Sequence, residues 1–348
     1  MPTVARKSPL VTREAVSFGL MGAAAVTAVM IAVVSAQGYG ALLRSDAQHF
    51  YRVALDPFGD GRIFAGSEEG AGTAYRYGRI LFPLAAWVLA LGQRPLIPVT
   101  LPLAYIISVL LFATLACARC ARAGRPPIVA LAALLVPSAF FTVPLLVPEF
   151  LIAGLVLLVY DFAETKRTGQ ALVAAVLLLL ARETAALAFL PLILPHVRRR
   201  EWRALVRWSV VAIPLLLWYV WLRARIGVWP FLDPGHAATR ALDLPVRGFL
   251  STLWRVDTGP ALAFAATLGW VTIASGAAIV WWRRTPVAWA ALSMASLILV
   301  FGRAQAELPG EAVRLMLPAQ LLIAVAALAH RSSATLQHKA APQVSITI

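Results

Sequence analysis

Four ionisable side chains stand out because they lie at or within the boundaries of apolar segments. Asp46 lies in the stretch "RSDAQHFYRVALDPF", which follows the apolar segment 15–36. Glu149 lies in "VPEF", Arg182 in "ARET" and Arg314 in "EAVRLMLP". A carboxylate can accept a proton from a hydroxyl group, and a guanidinium group can bind phosphoryl oxygens through paired hydrogen bonds. Because ionisable groups are costly within apolar segments, their presence favours a functional site.

Each of these residues also fits a purely structural role. Asp46 fits the cap of a helix, and Glu149 fits the first turn of one, where a carboxylate suits the helix dipole. Arg182 and Glu183 fit an ion pair with each other, and Arg314 fits a side chain that extends to the membrane surface. The two interpretations differ in one respect, because only a functional site requires these side chains to converge.

The composition predicts an all-α membrane protein. Hydrophobic residues make up 60% of the 348 residues and charged residues 14%, whereas soluble domains have about 45–50% and about 25%. Apolar segments of about 18 residues or more recur along the chain, as in transmembrane helices. We expect a polytopic transmembrane helical bundle of about 9–10 membrane segments. It forms one domain over residues 1–335, followed by a short cytoplasmic tail at 336–348.

The net charge of +15 does not indicate a nucleic-acid partner. The arginines stand in small clusters between apolar segments, as topology determinants do, and the sequence has no extended basic face interleaved with aromatic residues. Cys117 and Cys120 lack a second cysteine or histidine pair, and the five histidines lack metal-ligand spacing. The sequence therefore predicts no metal site, no cofactor and no nucleic-acid partner.

Arginine and lysine residues predict the orientation of the apolar segments. With residues 1–14 in the cytoplasm, the loops 37–79 and 223–259 fall outside. The predicted spans are 15–36, 95–118, 127–144, 148–163, 204–222, 261–282, 286–302 and 314–329. Both termini are then cytoplasmic, in a multi-pass protein of the inner (plasma) membrane. Twelve of the 16 acids are then predicted to lie on the outer side of the membrane. The other four are Glu14, Asp161, Glu164 and Glu201.

Two segments need separate treatment. Residues 80–93 are too short to cross the membrane comfortably and are predicted to form an interfacial helix on the outer surface. Residues 170–196 are predicted to break at "ARET" and to cross twice or form a re-entrant hairpin. A single crossing would place Arg198, Arg199 and Arg200 outside, against the positive-inside rule.

The outer segments carry further polar side chains. His49, Tyr51 and Arg52 stand in the "RSDAQHFYRVALDPF" stretch, and "AYRYGRILFP" supplies Arg76 and Arg79. Arginines at a membrane surface suit lipid phosphate, because the guanidinium fork matches a phosphoryl group. Ordinary headgroup anchoring explains these arginines equally well, and a solvated loop imidazole explains His49.

Five short motifs follow one another along the chain. They are "D..HFYRVA..PF", "YRYGRILFP", "PEF", "ARET" and "RLMLP". Their order resembles that of the GT-C-type integral-membrane glycosyltransferases, the polytopic enzymes that use polyprenyl-phosphate-linked sugars. Within that superfamily the chain is most similar to bacterial mannosyltransferase-like members, and the resemblance covers nearly the whole order of spans.

The resemblance implies roles for several residues. The family's first outer loop carries an acidic catalytic base, and Asp46 occupies that place, although many members have two acids where this chain has "SDAQ". The segment that leads into the interfacial helix places Arg76 and Arg79 near the donor phosphate. Many members have "TEP" at the second hairpin tip, where this chain keeps only Pro148 and Glu149.

Sugar transfer requires these residue types independently of the family. A carboxylate must take the proton of the acceptor hydroxyl, and cations must stabilise the leaving phosphate. Asp46 is the candidate base, and Arg79, Arg182 and Arg314 are candidates for the phosphate. Glu183 is expected to orient Arg182. His49 or Tyr51 is expected to contact acceptor or sugar hydroxyls, and no metal is required.

The sequence therefore predicts a membrane glycosyltransferase. It would move a sugar from a polyprenyl-phosphate donor to an envelope glycan, lipid or protein acceptor on the extracytoplasmic face. The alternative is a transporter or flippase for a lipid-linked or anionic substrate, because discontinuous helices build transporter sites at the midplane. A third possibility is a non-catalytic partner in an envelope-glycan complex.

Overall fold

The computed structural model describes residues 11–44, 46–59, 73–143, 145–233, 260–300 and 309–329. Every regular element in these ranges is helical, and none of the described residues forms a strand. The prediction of an all-α fold is confirmed for this part of the chain. The predicted tail 336–348 and the predicted outer loop beyond residue 233 lie outside the described residues.

The first five helices are α1 (Arg13–Gln37), α2 (Ala47–Leu55), α3 (Thr73–Gly78), α4 (Leu81–Leu89) and α5 (Ile97–Arg122). Helices α1, α2 and α4 pack against one long helix, α5, whereas α3 packs against α2 and a later helix. Gly19 of α1 lies so close to α5 that a Cβ atom there would overlap the hydroxyl of Thr114. At the other end of α1, Gly38 has a φ of 78° and donates its N–H to Val34 O, which ends the helix and turns the chain toward α2.

The segment 127–144 is not one continuous α-helix, contrary to the prediction. It consists of a 3-10 helix at Pro127–Leu135 and the short helix α6 (Pro137–Thr142). Pro137 has no N–H to donate, so it ends the first helix and begins the second. With rises of about 2 Å and about 1.5 Å per residue, the two pieces are about 18 Å and about 9 Å long. Neither piece alone therefore spans the hydrocarbon core of a bilayer, which is about 30 Å thick.

The chain reverses direction at Arg182. Helices α7 (Glu149–Glu164) and α8 (Thr168–Ala181) form a hairpin, which brings Arg182 beside Glu149. A 3-10 helix, Glu183–Phe189, and α9 (Leu190–Arg198) follow. The Tyr160 hydroxyl near the end of α7 donates to Ala188 O at 2.7 Å, so the chain after Arg182 runs back along α7. The break predicted at "ARET" is therefore present.

The remaining helices complete the bundle. They are α10 (Trp202–Ser209), α11 (Ile213–Ile226), α12 (Pro260–Arg283), α13 (Pro286–Ala295) and α14 (Pro309–Leu328). Helix α14 packs against α6, α7, α12 and α13 and so occupies the middle of the bundle. It begins five residues before Arg314, which was predicted to open this helix, so Arg314 lies within it.

Three helical segments among the described residues are long and apolar enough to cross a membrane. They are Arg13–Gln37, Arg94–Arg122 and Trp202–Ile226. Large apolar side chains remain exposed on each, including Leu20, Val99 and Leu217. Exposed apolar faces of this extent suit contact with lipid.

Charged groups collect at the two ends of α7. Glu149 is its first residue, and Asp161 lies 12 residues later, about 18 Å along the helix. The Asp161 carboxylate is fully buried and lies 2.6 Å from Arg119 Nη2 and 2.7 Å from Arg122 Nη2 on α5. We refer to the two ends of the bundle as the Glu149 end and the Asp161 end.

Candidate functional site

Six charged side chains among the described residues meet at the Glu149 end. They form an alternating series of acids and arginines, which we call the charged row. In order of contact its members are Glu183, Arg79, Asp46, Arg314, Glu149 and Arg182. Arg182 and Glu183 are adjacent and the other four come from separate parts of the chain, so the fold brings together Asp46, Glu149, Arg182 and Arg314.

Asp46 lies between two arginines of the row. Arg314 Nη2 donates a hydrogen bond of 2.7 Å to Asp46 Oδ2. Arg79 Nη1 lies 3.9 Å from the same oxygen. Both guanidinium groups therefore converge on one carboxylate oxygen.

Glu149 joins Arg314 to Arg182 at the other end of the row. Its Oε1 atom lies 3.4 Å from Arg182 Nη2 and 3.4 Å from Arg314 Nε. The carboxylate is completely buried, and neither of its oxygens accepts a hydrogen bond from the residues that the structure describes. Two cations thus share one buried carboxylate through ion pairs that are long for hydrogen bonds.

Arg79 has three partners in the described structure. Besides Asp46, its Nη2 atom lies 3.6 Å from Glu183 Oε1. Its guanidinium carbon lies 4.4 Å from the centroid of the Tyr75 ring, in the geometry of a cation–π contact. The side chain is therefore fixed from several directions.

Exposure differs sharply along the row. The Asp46 and Glu183 side chains are each 30% exposed. The Arg182 and Arg314 side chains are 3% exposed, and Glu149 is inaccessible. A molecule that approaches from solvent thus meets two carboxylates before it reaches the arginines beneath them.

The neighbouring charges control the ionisation of Asp46. Burial alone would raise the pKa of this carboxyl group. The charges of Arg314 and Arg79, the hydrogen bond from Arg314 and the proximity of His49 outweigh burial and hold the pKa well below its usual range. Asp46 is therefore ionised at neutral pH in this arrangement.

Three hydrogen bonds position the short helix α3 that leads to Arg79. The Asp233 carboxylate accepts from Ala74 N at 2.8 Å. The Trp218 indole donates to Tyr77 O at 2.9 Å. The Tyr77 hydroxyl donates to Asp56 O at 3.0 Å. Helix α11 and the segment that follows it up to Asp233 thus hold α3 against the end of α2.

The contacts of these residues agree better with a converging site than with the purely structural roles considered for them. Asp46 stands at the N-cap position of α2, but its side chain makes no capping hydrogen bond. Arg314 is buried and does not extend to the surface. Glu149 does lie in the first turn of α7, as predicted, and it also bridges two arginines.

The Arg182 and Glu183 side chains take different partners, contrary to the expected pair. Arg182 contacts Glu149, whereas Glu183 contacts Arg79. Arg182 has an extended backbone, with φ −164° and ψ 122°. Successive side chains of an extended backbone point in opposite directions, which explains the separation.

The other predicted site residues flank the charged row. His49, Tyr51 and Arg52 lie on α2, one to two turns from Asp46, and Arg76 lies on α3. The N–H of His49 donates to Asp46 O at 2.9 Å, which anchors the Asp46 backbone. All four side chains are half-buried.

Sequence reasoning assigned no role in the site to the supporting residues Tyr75 and Asp233. Tyr75 stands four positions before Arg79 in a stretch that was already considered, and its aromatic ring was the available signal. Asp233 had no distinguishing neighbour in the sequence. It contacts Ala74 across 159 positions, so only the fold reveals its role.

No group of three or more histidine, cysteine or acidic side chains in the described ranges is arranged to hold a metal ion. Comparison of the chain with protein-family models, with curated proteins and with solved structures gives no match. The functional assignment therefore depends on the charged row and the elements that position it.

Proposed function

We propose that the protein is a GT-C-type integral-membrane glycosyltransferase. It moves a sugar from a polyprenyl-phosphate donor to an envelope glycan, lipid or protein acceptor on the extracytoplasmic face. The observation that carries this proposal is the position of Asp46, a partly exposed carboxylate held between two buried arginines. This combination provides a base and a phosphate site within a few ångströms of each other.

Asp46 serves as the base. Its exposure allows an acceptor hydroxyl to reach it, whereas Glu149 is inaccessible. The acceptor oxygen attacks the anomeric carbon while its proton passes to Asp46, and the bond from that carbon to the phosphate oxygen breaks. The leaving phosphate carries away the electron pair of that bond.

Arg79 and Arg314 stabilise the leaving phosphate. Their side chains are 9% and 3% exposed, so their charges are only weakly screened by water. Glu149, which also contacts Arg182, positions Arg314 from below, and Glu183 positions Arg79. Arg76, His49, Tyr51 and Arg52 surround this centre and are placed to contact the sugar, the acceptor or the lipid headgroup.

An apolar cavity beside α14 offers a place for the first isoprene units of the donor. A cavity of about 170 Å³ lies between α6, α12 and α14. One of its lining residues, Gln320, is six positions after Arg314, about 9 Å further along the helix. The cavity is mostly apolar, and its apolar lining includes Val136, Pro137, Leu268, Val271, Ile323 and Ala324.

The distribution of charge supports a cytoplasmic Asp161 end. Arg119 and Arg122 lie there, and α9 runs toward it before Arg198. The contact of Gly19 with Thr114 places the start of α1 toward the same end. By the positive-inside rule the charged row then faces outward and both termini face the cytoplasm of a multi-pass inner-membrane protein.

Reconstituted protein provides the test. Proteoliposomes receive radiolabelled polyprenyl-phosphate hexoses or pentoses and a panel of acceptors, and the variant Asp46→Asn is compared with Asp56→Asn. Asp56 is a matched control because it also lies at an end of α2 but pairs with the exposed Arg94. We expect Asp46→Asn to lower kcat about 10²- to 10⁴-fold and Asp56→Asn to leave it unchanged. Turnover that survives in Asp46→Asn would contradict the proposal.

A flippase for lipid-linked substrates is the second candidate. The reversal of the chain at Arg182 favours it, because interrupted helices form the substrate sites of many transporters. The same proteoliposomes separate the two functions, since a flippase moves the labelled lipid between leaflets without transferring sugar. Scrambling of the lipid with no labelled product would favour this candidate.

A further inference from the structure

The Asp46 carboxylate occupies the place in the charged row that an anionic ligand would take. Arg314 Nη2 and Arg79 Nη1 converge on its Oδ2 atom, at 2.7 Å and 3.9 Å. Guanidinium groups bind carboxylate and phosphoryl oxygens through the same charge-assisted N–H bonds, so this position also suits a phosphoryl group. In the structure, the candidate base therefore fills the candidate phosphate site.

Among the described residues, the row is also balanced in charge without any ligand. Three arginines face three carboxylates. An additional phosphate would have to compete with a carboxylate for the same N–H groups. The carboxylate that yields must be one that can move, and Glu149 is enclosed on all sides.

We propose that the donor phosphate displaces the Asp46 carboxylate from Arg314 and Arg79, so that binding of the donor itself releases the base. This inference rests on the proposed function, and it adds an order of events. The donor binds first and releases Asp46, and only then can Asp46 take a proton from the acceptor hydroxyl.

The local structure around Asp46 permits this movement. Its backbone is fixed, because its carbonyl accepts hydrogen bonds from His49 N and Phe50 N at 2.9 and 3.1 Å. Its side chain makes no capping hydrogen bond within α2 and is 30% exposed. A rotation of this side chain therefore moves the carboxylate into the accessible space without disturbing the helix. The arginines are buried and stay in place.

Displacement from the two arginines makes Asp46 a stronger base. The groups that face it are Arg314 from α14, Arg79 from the link between α3 and α4, and His49 from α2, with Glu149, Glu183 and Arg182 beyond them. Release from the two arginines removes the charges that favour the ionised carboxylate, and the bound phosphate adds a negative neighbour. Asp46 then accepts the acceptor's proton and holds it until the phosphate product leaves.

Binding of a phosphate lipid without sugar tests the inference apart from catalysis. Farnesyl phosphate is titrated into the detergent-solubilised full chain by isothermal titration calorimetry. If Asp46 competes with phosphate, Asp46→Asn and Asp46→Ser bind the probe more tightly than wild type, by about fivefold or more. Glu183→Gln removes the other exposed partner of Arg79 and should raise affinity less. Asp56→Asn should leave affinity unchanged.

The pH dependence provides a second readout. Because displacement makes Asp46 more basic, the complex binds more protons than the free protein, and affinity must rise as pH falls. The probe's own ionisation adds a pH dependence that all variants share. The affinity ratio of wild type to Asp46→Asn should therefore rise toward 1 as pH is lowered from 8 to about 5.

The outcomes separate this inference from the proposed function. Affinity that is unchanged or weaker in both Asp46 variants would overturn the competition, even if wild type still transfers sugar. Tighter binding in both variants, without any sugar transfer by wild type, would support the competition and contradict the glycosyltransferase. Arg79→Gln and Arg314→Lys test both ideas at once. If both variants bind farnesyl phosphate as tightly as wild type, the competition and the glycosyltransferase are both contradicted, because neither arginine then holds phosphate.

Discussion

Arg314 and Asp46 lie 268 positions apart, and Arg314 Nη2 donates a hydrogen bond of 2.7 Å to Asp46 Oδ2. The first loop of the chain and its last described helix thus meet in one ion pair. Arg314 also lies 3.4 Å from Glu149, so it joins the exposed and the buried acids of the charged row.

Replacement of Arg314 by lysine tests the need for a guanidinium fork. Lysine keeps the positive charge but cannot contact Asp46 and Glu149 in the same geometry. We expect Arg314→Lys to lower kcat for sugar transfer about 10²-fold or more, measured in the proteoliposome assay. Arg94→Lys alters an exposed ion pair and should leave kcat unchanged. Equal kcat values for the two variants would show that charge alone suffices.

The two glutamates of the row should differ in their effect on stability. Glu149→Ala leaves Arg182 and Arg314 buried without their shared carboxylate, which should cost about 3–5 kcal/mol of unfolding free energy. Glu183 is partly exposed, so Glu183→Ala should cost about 1 kcal/mol or less. Thermal unfolding of both variants in detergent measures the difference. A similar melting temperature for the two would contradict the burial of Glu149.

The contribution of Asp46 to the stability of the fold should depend on pH only at acidic pH. The pKa of Asp46 is lower in the folded protein than in the unfolded chain. Its stabilising contribution is therefore complete above the unfolded-state pKa of about 3.9 and is lost as pH falls through the folded-state pKa. The difference in melting temperature between wild type and Asp46→Asn should be constant from about pH 5 to 8 and shrink below about pH 4. A difference that changes between pH 5 and 8 would contradict the ion pair with Arg314.

The Tyr75 ring should contribute to donor binding through Arg79. Tyr75→Phe keeps the aromatic face beneath the guanidinium group, and Tyr75→Ala removes it. A cation–π contact is worth about 0.5–1 kcal/mol at a partly exposed site, so Tyr75→Ala should raise KM for the donor roughly 2- to 5-fold. The phenylalanine variant is the control. A KM raised equally in both would point to the hydroxyl group instead of the ring.

Substitution of Asp161 at the Asp161 end should lower stability and leave turnover unchanged. Asp161→Asn removes the charge that Arg119 and Arg122 share, so we expect a clear loss of thermal stability. Glu164→Gln changes an exposed acid beside Arg119 and should have little effect. Sugar transfer per folded molecule should be the same in both, because Asp161 lies about 18 Å along α7 from Glu149. Loss of turnover in folded Asp161→Asn would link the two ends functionally.

The sequence predicts the members of the site better than it predicts their pairing. An acid or an arginine in an apolar stretch is conspicuous, so Asp46, Glu149, Arg182 and Arg314 could be identified without a structure. Their partners could not, because each pair joins residues distant in sequence. The extended backbone at Arg182 sends neighbouring side chains to different partners, and hydrophobic patterning carries no information about such a local conformation.

Helix continuity is the other feature that composition hides. Residues 127–144 have the apolar content of a single span, yet Pro137 divides them and the first part is a 3-10 helix. Hydropathy indicates whether the side chains of a segment suit an apolar environment, and it does not distinguish an α-helix from a 3-10 helix. The break at "ARET" was predictable because the positive-inside rule gave an independent reason for the chain to turn back.

The arrangement of the charged row bears on how the chain matures during synthesis. The acids at positions 46 and 149 emerge from the ribosome long before Arg314, which arrives with the last described helix. Until then, of the two arginines that contact it in the described structure, Glu149 has only Arg182. Insertion of α14 thus completes the electrostatic balance of the charged row, and a nascent chain that lacks this helix keeps the row's three acids with only two of its arginines.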